Sequence, residues 1–291
     1  MNNLINRQHS YSAFAFSVAF SLFAGLLISG LFTLSDSTEM YWFANALYSC
    51  VLGGSAILFC KMQGIDFYNS VKVSSARWYD FVFVAVAVFV TINFATPINT
   101  WFCSFLESIA PNYSAGVSIP EDSTWVQLIG VVCVLAAINE EILFRGVIAN
   151  GLLSGNPAKG IIISALLFAL FHMNPAQTLP QFVLGCVFAV GYYKSQSIVV
   201  PIFAHFFSNL SALLLSEFVE PYGFYENYAT ELAIVGAIVF AVIFFAYCFF
   251  APKKGEKEKF EQPKVSAPIW VGFAFAILWC LFNWVGNMVL V

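Results

Sequence analysis

Nine apolar stretches, near residues 11–33, 41–60, 80–99, 125–150, 160–174, 179–193, 198–216, 231–250 and 268–290, alternate with polar or turn-forming breaks. The hydrocarbon core of a bilayer is about 30 Å thick and takes about 20 apolar residues of helix to cross. Lipid offers no hydrogen bonds, so each run has to satisfy its own backbone, which a helix does. The chain of 291 residues is 60% hydrophobic and 10% charged, against roughly 45–50% and about 25% in soluble domains. The expected fold is therefore an all-α polytopic transmembrane bundle of about eight or nine spans; the fifth and sixth runs are short enough for tilted or half-buried helices. The first run is longer than the roughly 7–15 residues of a signal-peptide core and no small-residue cleavage motif follows it, so it should remain as the first span.

Charge placement orients the spans. If the N-terminus is cytoplasmic, the cytoplasmic segments hold Arg7, then Lys61, Lys72 and Arg77, then Lys159, Lys194, and Lys253, Lys254, Lys257, Lys259 and Lys264; the remaining cation, Arg145, lies inside a span. The opposite loops carry acids: Asp36, Glu39, Glu107, Glu121, Asp122, Glu217, Glu220, Glu226 and Glu231. This is the positive-inside pattern of an odd span count with a cytoplasmic N-terminus, in a plasma or inner membrane. In residues 252–264, "PKKGEKEKFEQPK", lysines alternate with glutamates, which fits a solvated loop rather than a nucleic-acid or lipid site. Gly151 and Gly155 form a GxxxG pattern at a helix end beside Asn150 and Asn156, where helix termination is a better explanation than dimerisation. The 7 cysteines show no paired spacing and fit small buried hydrophobes. Trp42, Trp78, Trp101, Trp125 and Trp270 sit near span ends, as interfacial anchors do. "PAQTLP", bracketed by Pro175 and Pro180, has the composition of a turn between the short spans.

Against this background the polar residues inside spans are conspicuous, because an ionisable group in hydrocarbon costs several kcal/mol and normally faces protein or a cavity. The run "LAAINEEILFRGVIANGLL", residues 135–153, contains Glu140, Glu141 and Arg145. Glu141 and Arg145 are four apart with the acid first, the favoured order for an ion pair on one helix face. Glu140 points about 100° away and has no obvious partner on its own helix. "LLFALFHMNP" places His172 in the fifth run, and "PIFAHFFSNLSALL" places His205 and Asn209 on one face of the seventh. Helix rise puts Glu140 about 15 Å, His172 about 18 Å, His205 about 10 Å and Asn209 about 16 Å from the cytoplasmic end, so the four can share one layer. A desolvated glutamate can take a proton from water while a neutral histidine orients it. A second histidine and an amide can donate to the oxyanion formed as water attacks a carbonyl. The same parts, two histidines and one glutamate, are also the ligand set of a catalytic zinc. A charge network that merely locks helices, and a proton relay, use such residues too.

"EEILFRG", "FALFH" and "HFFSN" resemble, in order, the EExxxR, FxxxH and HxxxN motifs of the CPBP family (CAAX protease and bacteriocin-processing, or Abi), which are intramembrane endopeptidases. The resemblance covers about residues 125–216 and implies a four-helix catalytic core there, with transmembrane helices at 1–124, about three spans, and 217–291, about two. It implies Glu140 as general base, His172 as its aid in activating water, His205 and Asn209 as oxyanion donors, and Glu141 and Arg145 as support. It leaves the cofactor as zinc, held by Glu140, His172 and His205, or none. The implied partners are the lipid bilayer and a peptide or protein substrate at the membrane, lipidated or embedded, with no nucleic acid. Some relatives are non-catalytic scaffolds or bacteriocin-immunity proteins, which remains the alternative, ahead of a transporter.

Overall fold

The computed structural model describes residues 4–32, 37–110, 113, 119–254 and 262–289. The charges assigned above to Asp36, Lys257 and Lys259, and the outer ends of the first and last spans at 33 and 290, lie outside the described residues. The described residues form helices and no strands: α1 (Arg7–Phe32), α2 (Thr38–Met62), the short α3 (Phe67–Val71), α4 (Trp78–Ile109), α5 (Trp125–Leu153), α6 (Pro157–Phe171), α7 (Pro175–Ser195), α8 (Val199–Phe218), the short α9 (Phe224–Asn227), α10 (Ala229–Phe250) and α11 (Ala267–Val289). Each expected apolar run overlaps one of the long helices, although the fifth, 160–174, outlasts α6, which ends at Phe171, so His172 lies just beyond it. Seven of these helices are long and apolar enough to cross a membrane, and the protein is an integral membrane protein.

Helix starts follow local chemistry. Ser37, Thr124, Asn156 and Asn174 each accept a backbone N–H of the following turn, and Pro157 and Pro175 occupy first-turn positions where no N–H is needed. The last of these corrects an expectation. "PAQTLP" is not a turn but the opening of α7, because Asn174 caps it and Pro175 suits its first position; the chain reverses earlier, at residues 172–174. α6 has 15 residues and is thus about 22 Å long, too short to cross a core of about 30 Å. It pairs with α7 as a helical hairpin whose tip meets the end of α11 and Tyr113.

α5 is irregular in a specific way. It is π-helical over Leu128–Leu135 and again over Ile142–Ala149, with the Ala136 N–H reaching back five residues to the Val131 carbonyl. Such wide turns are rare and occur mostly at functional sites. The six α-helical residues between them, Ala136–Glu141, carry both glutamates. Around this helix an aromatic core joins α1, α5, α6 and α7, with Phe14 against Phe171 at 6.3 Å and Phe144 against Phe168 at 5.0 Å between ring centres.

The cationic residues gather at one end of the bundle. Arg77 pairs with buried Asp80 at 2.9 Å and donates to the Pro252 carbonyl at 2.7 Å. Tyr247 donates to the same carboxylate at 2.5 Å. Lys194 Nζ reaches the Cys248 and Ala251 carbonyls, and Lys254 Nζ the Ser75 carbonyl. Lys253 lies over the Tyr193 ring at 4.7 Å. Gln262 accepts the Arg7 N–H and donates to Ser154. The described ends of residues 252–264 thus touch the helix ends through Lys253, Lys254 and Gln262, while Pro252, Pro263 and Lys264 stay exposed. Two further expectations change. Cys60, Cys103, Cys133 and Cys280 are buried, but Cys50 is exposed. Trp42 is buried and donates to Ser123 at 3.1 Å instead of anchoring at an interface.

The GxxxG pair is used within the chain. A Cβ on Gly151 would lie 2.3 Å from the Asn6 carbonyl oxygen and 2.2 Å from Ser10 Oγ, whereas one on Gly155 would meet nothing nearer than 3.8 Å. Gly151 thus lets the start of α1 lie directly on α5. Gly151→Ala should cost about 1–3 kcal/mol through forced backbone movement, seen as a lower unfolding temperature in detergent, while Gly155→Ala should leave that temperature nearly unchanged.

Candidate active site

The site begins with a cation that has no exposed surface. The Arg145 and Glu141 side chains are both 0% exposed, and Arg145 Nη1 donates to Glu141 Oε1 at 2.6 Å, as the four-residue spacing predicts. Arg145 Nη2 donates to the Gly185 carbonyl of α7 at 3.2 Å. Its guanidinium lies over the rings of Phe168 and Phe188, at 4.4 and 5.0 Å from their centres. A Cβ on Gly185 would stand 3.1 Å from the Ala165 backbone, so the small residue lets α7 approach α6 closely enough to present that carbonyl. The two aromatic faces replace part of the hydration that the cation loses.

Glu141 does more than pair with arginine. Its Oε1 also lies 2.9 Å from His205 Nδ1. An ionised carboxylate only accepts, so Nδ1 carries the proton, and in the neutral ring Nε2 keeps its lone pair. Phe188 stacks on the same imidazole at 5.2 Å and Phe168 meets it edge-on at 5.8 Å, which fixes its plane. His172 is oriented by a different acceptor, the Phe168 carbonyl, 2.8 Å from its Nδ1. A carbonyl can only accept, so here too the proton is on Nδ1 and the lone pair on Nε2.

Both free nitrogens face Glu140. Glu140 Oε2 is 3.9 Å from His172 Nε2 and 4.0 Å from His205 Nε2. Among the described residues this oxygen is buried with no hydrogen-bond partner, as are Glu141 Oε2 and Arg145 Nε. The glutamate without a partner on its own helix has its neighbours on α6 and α8. Three acceptors therefore converge on a gap too wide for direct hydrogen bonds and suited to a bridging water. The donor set is also that of a zinc site, but tetrahedral ligands about 2.0–2.1 Å from zinc stand about 3.4 Å from one another. The distances here are wider, and among the described residues no three His, Cys, Asp or Glu groups stand close enough to hold a metal.

Asn209 lies one turn beyond His205, and its Nδ2 donates to the carbonyl of Val132, in the first π-helical stretch, at 2.7 Å. The amide keeps a second N–H. Sequence reasoning missed Phe188 and Gly185, for which no local signal exists. It also left the role of Phe168 open, although that residue is the first of the FxxxH pattern and supplies both a ring to Arg145 and a carbonyl to His172.

The buried pair yields a stability prediction. Arg145→Leu strands the Glu141 charge and should cost about 3–5 kcal/mol, whereas Glu141→Gln combined with Arg145→Met should recover much of that loss. Unfolding temperatures in detergent decide the point; a double variant as unstable as Arg145→Leu would mean that packing, not charge, dominates there.

Comparison with known proteins bears on the segment that builds this site. No curated protein and no solved structure matches the chain. The family model described as type II CAAX prenyl endopeptidase Rce1-like matches residues 122–211, which span Glu140, Glu141, Arg145, His172, His205 and Asn209. The matched segment carries the three CPBP-type motifs, and its charged side chains are brought together inside the helical bundle, so over residues 122–211 the chain is similar to the Rce1-like CAAX prenyl endopeptidases.

Proposed function

We propose that the protein is an intramembrane endopeptidase that cleaves a peptide bond of a membrane-associated or lipidated substrate with water activated by Glu140 and His172. The observation that carries this reading is the buried, unpartnered Glu140 Oε2, nearly equidistant from two histidine nitrogens. A water in that gap donates one proton to Glu140 and the other to His172 Nε2, which leaves its oxygen lone pair for the scissile carbonyl. As the carbon–oxygen bond forms, Glu140 accepts the water proton, and it returns the proton to the departing amine when the carbon–nitrogen bond breaks. No side chain becomes covalently attached to substrate.

The oxyanion needs donors. His205 supplies Nε2–H in its protonated form, with Glu141 accepting from Nδ1, and Asn209 supplies the amide N–H that Val132 does not use. Arg145 serves by holding Glu141 in place. The cations gathered at one end of the bundle support a cytoplasmic position for that end, and with it a cytoplasmic N-terminus in a plasma or inner membrane.

The test is quantitative mapping of membrane-protein termini in cells carrying wild-type protein, Glu140→Gln or His172→Ala at equal abundance. Termini present with wild type should be lost with both variants, the rate falling about 10²–10⁴-fold. Identical termini in all three cells would replace the protease reading with the scaffold or immunity reading. In purified protein, cleavage of the substrate so found should survive 1,10-phenanthroline; loss that zinc restores would assign the water to a metal instead.

A further inference from the structure

We propose that Asn287, on the last helix and outside the family-matched segment, positions His172 by holding the left-handed turn at Met173; the inference rests on the hydrolytic reading above. His172 is the first residue beyond α6, and its ring orientation depends on the helix ending there. In a helix that continued, the Phe168 carbonyl would accept the backbone N–H of residue 172. Instead that N–H turns to the Ala169 carbonyl at 3.3 Å, and the released Phe168 carbonyl takes the Nδ1–H of the His172 ring at 2.8 Å. Loss of the helix end would thus remove the acceptor that aims Nε2 at Glu140.

The residue that ends the helix is strained. Met173 has φ 51°, in the left-handed region that side-chain-bearing residues other than Asn and Asp seldom adopt. Strain of this kind persists where the surroundings over-determine it, and it concentrates at functional sites. The surroundings here come largely from α11. Asn287 Nδ2 donates to the Met173 carbonyl at 2.8 Å, and Trp284 Nε1, one turn earlier, donates to Thr178 Oγ1 at 2.7 Å. Three residues apart, they lie on one face of α11 and grip the hairpin tip at its turn and on the first turns of α7. Tyr113 adds a third tie, its hydroxyl accepting the Ala176 N–H at 3.0 Å. None of these three side chains belongs to residues 122–211.

The deciding variant is Asn287→Asp, which keeps the shape but replaces the N–H donors with an acceptor facing a carbonyl. In the full chain in detergent, hydrogen exchange across residues 172–176 should quicken about tenfold or more. For the substrate identified by terminus mapping, kcat should fall about 10–100-fold with little change in KM or unfolding temperature. Adding Met173→Gly, which adopts the left-handed turn without strain, should restore much of both. Added to His172→Ala, Asn287→Asp should lower the residual rate no further. Unchanged exchange, or an equal loss of rate in the His172→Ala background, would overturn the proposal. If Glu140→Gln leaves cleavage intact the hydrolytic reading fails, while exchange and its rescue by Met173→Gly still decide whether Asn287 holds the turn.

Discussion

A guanidinium with no exposed surface, Arg145, sits where four helices meet, and its requirements constrain each of them. Moving an isolated charge out of water costs far more than one ion pair returns, so further donors and both faces of the group gain from partners, and among the described residues only Nε lacks one. Glu141 on α5 takes one donor, the Gly185 carbonyl on α7 takes another, and Phe168 and Phe188 cover the faces. Through Glu141 the same cluster reaches His205 on α8. A buried pair of this kind is weak evidence for extra stability; what it does supply is register. A helix that slid by one residue would trade a satisfied charge for a stranded one.

That register explains why adjacent glutamates have different fates. Glu141 faces the arginine and is consumed by structure, while Glu140, about 100° around the helix, is turned to the gap between two imidazoles. Each imidazole has its Nδ1–H committed to a fixed acceptor, one a carboxylate and one a backbone carbonyl. Both Nε2 atoms are thereby turned toward Glu140 before any substrate arrives, His172 Nε2 as an acceptor for water and His205 Nε2 ready to donate once it takes up a proton. Preorganisation of this sort avoids reorientation during the reaction, which is where polar active sites gain most over water. The π-helical turns on either side of Ala136–Glu141 fall where the phase of α5 decides which glutamate faces which neighbour.

Much of this was legible in the sequence. Length and apolarity located every long helix, since the bilayer permits little else, and the Glu141–Arg145 pair followed from spacing alone. Depth arithmetic placed Glu140, His172 and His205 in one layer, and the structure brings them together. Facing was not legible. Depth is one coordinate along a helix, whereas contact also needs rotation, tilt and neighbour identity, and so the bond from Asn209 to the Val132 carbonyl could not be read from it. Pro175 and Pro180 looked like a turn because proline marks both turns and first helical positions; only Asn174 as cap distinguishes the two. Trp42 was assigned to an interface by its place near a span end, but an indole N–H with a protein acceptor nearby can equally be buried.

The chemistry and its geometry therefore have different origins in the chain. Every group proposed to touch water or substrate falls within residues 122–211, which is why short motifs suffice to point to them. Their placement draws on residues that no motif contains. The start of α1 fits onto Gly151, and α11 reaches the tip of the α6–α7 hairpin. The backbone groups at the hairpin tip are met by side chains from outside the hairpin, Asn287 on the Met173 carbonyl and Tyr113 on the Ala176 N–H. His172 sits on that tip, which makes its position depend on helices remote in sequence. A local pattern can thus record which residues act while remaining silent on what holds them at the distance where they can act.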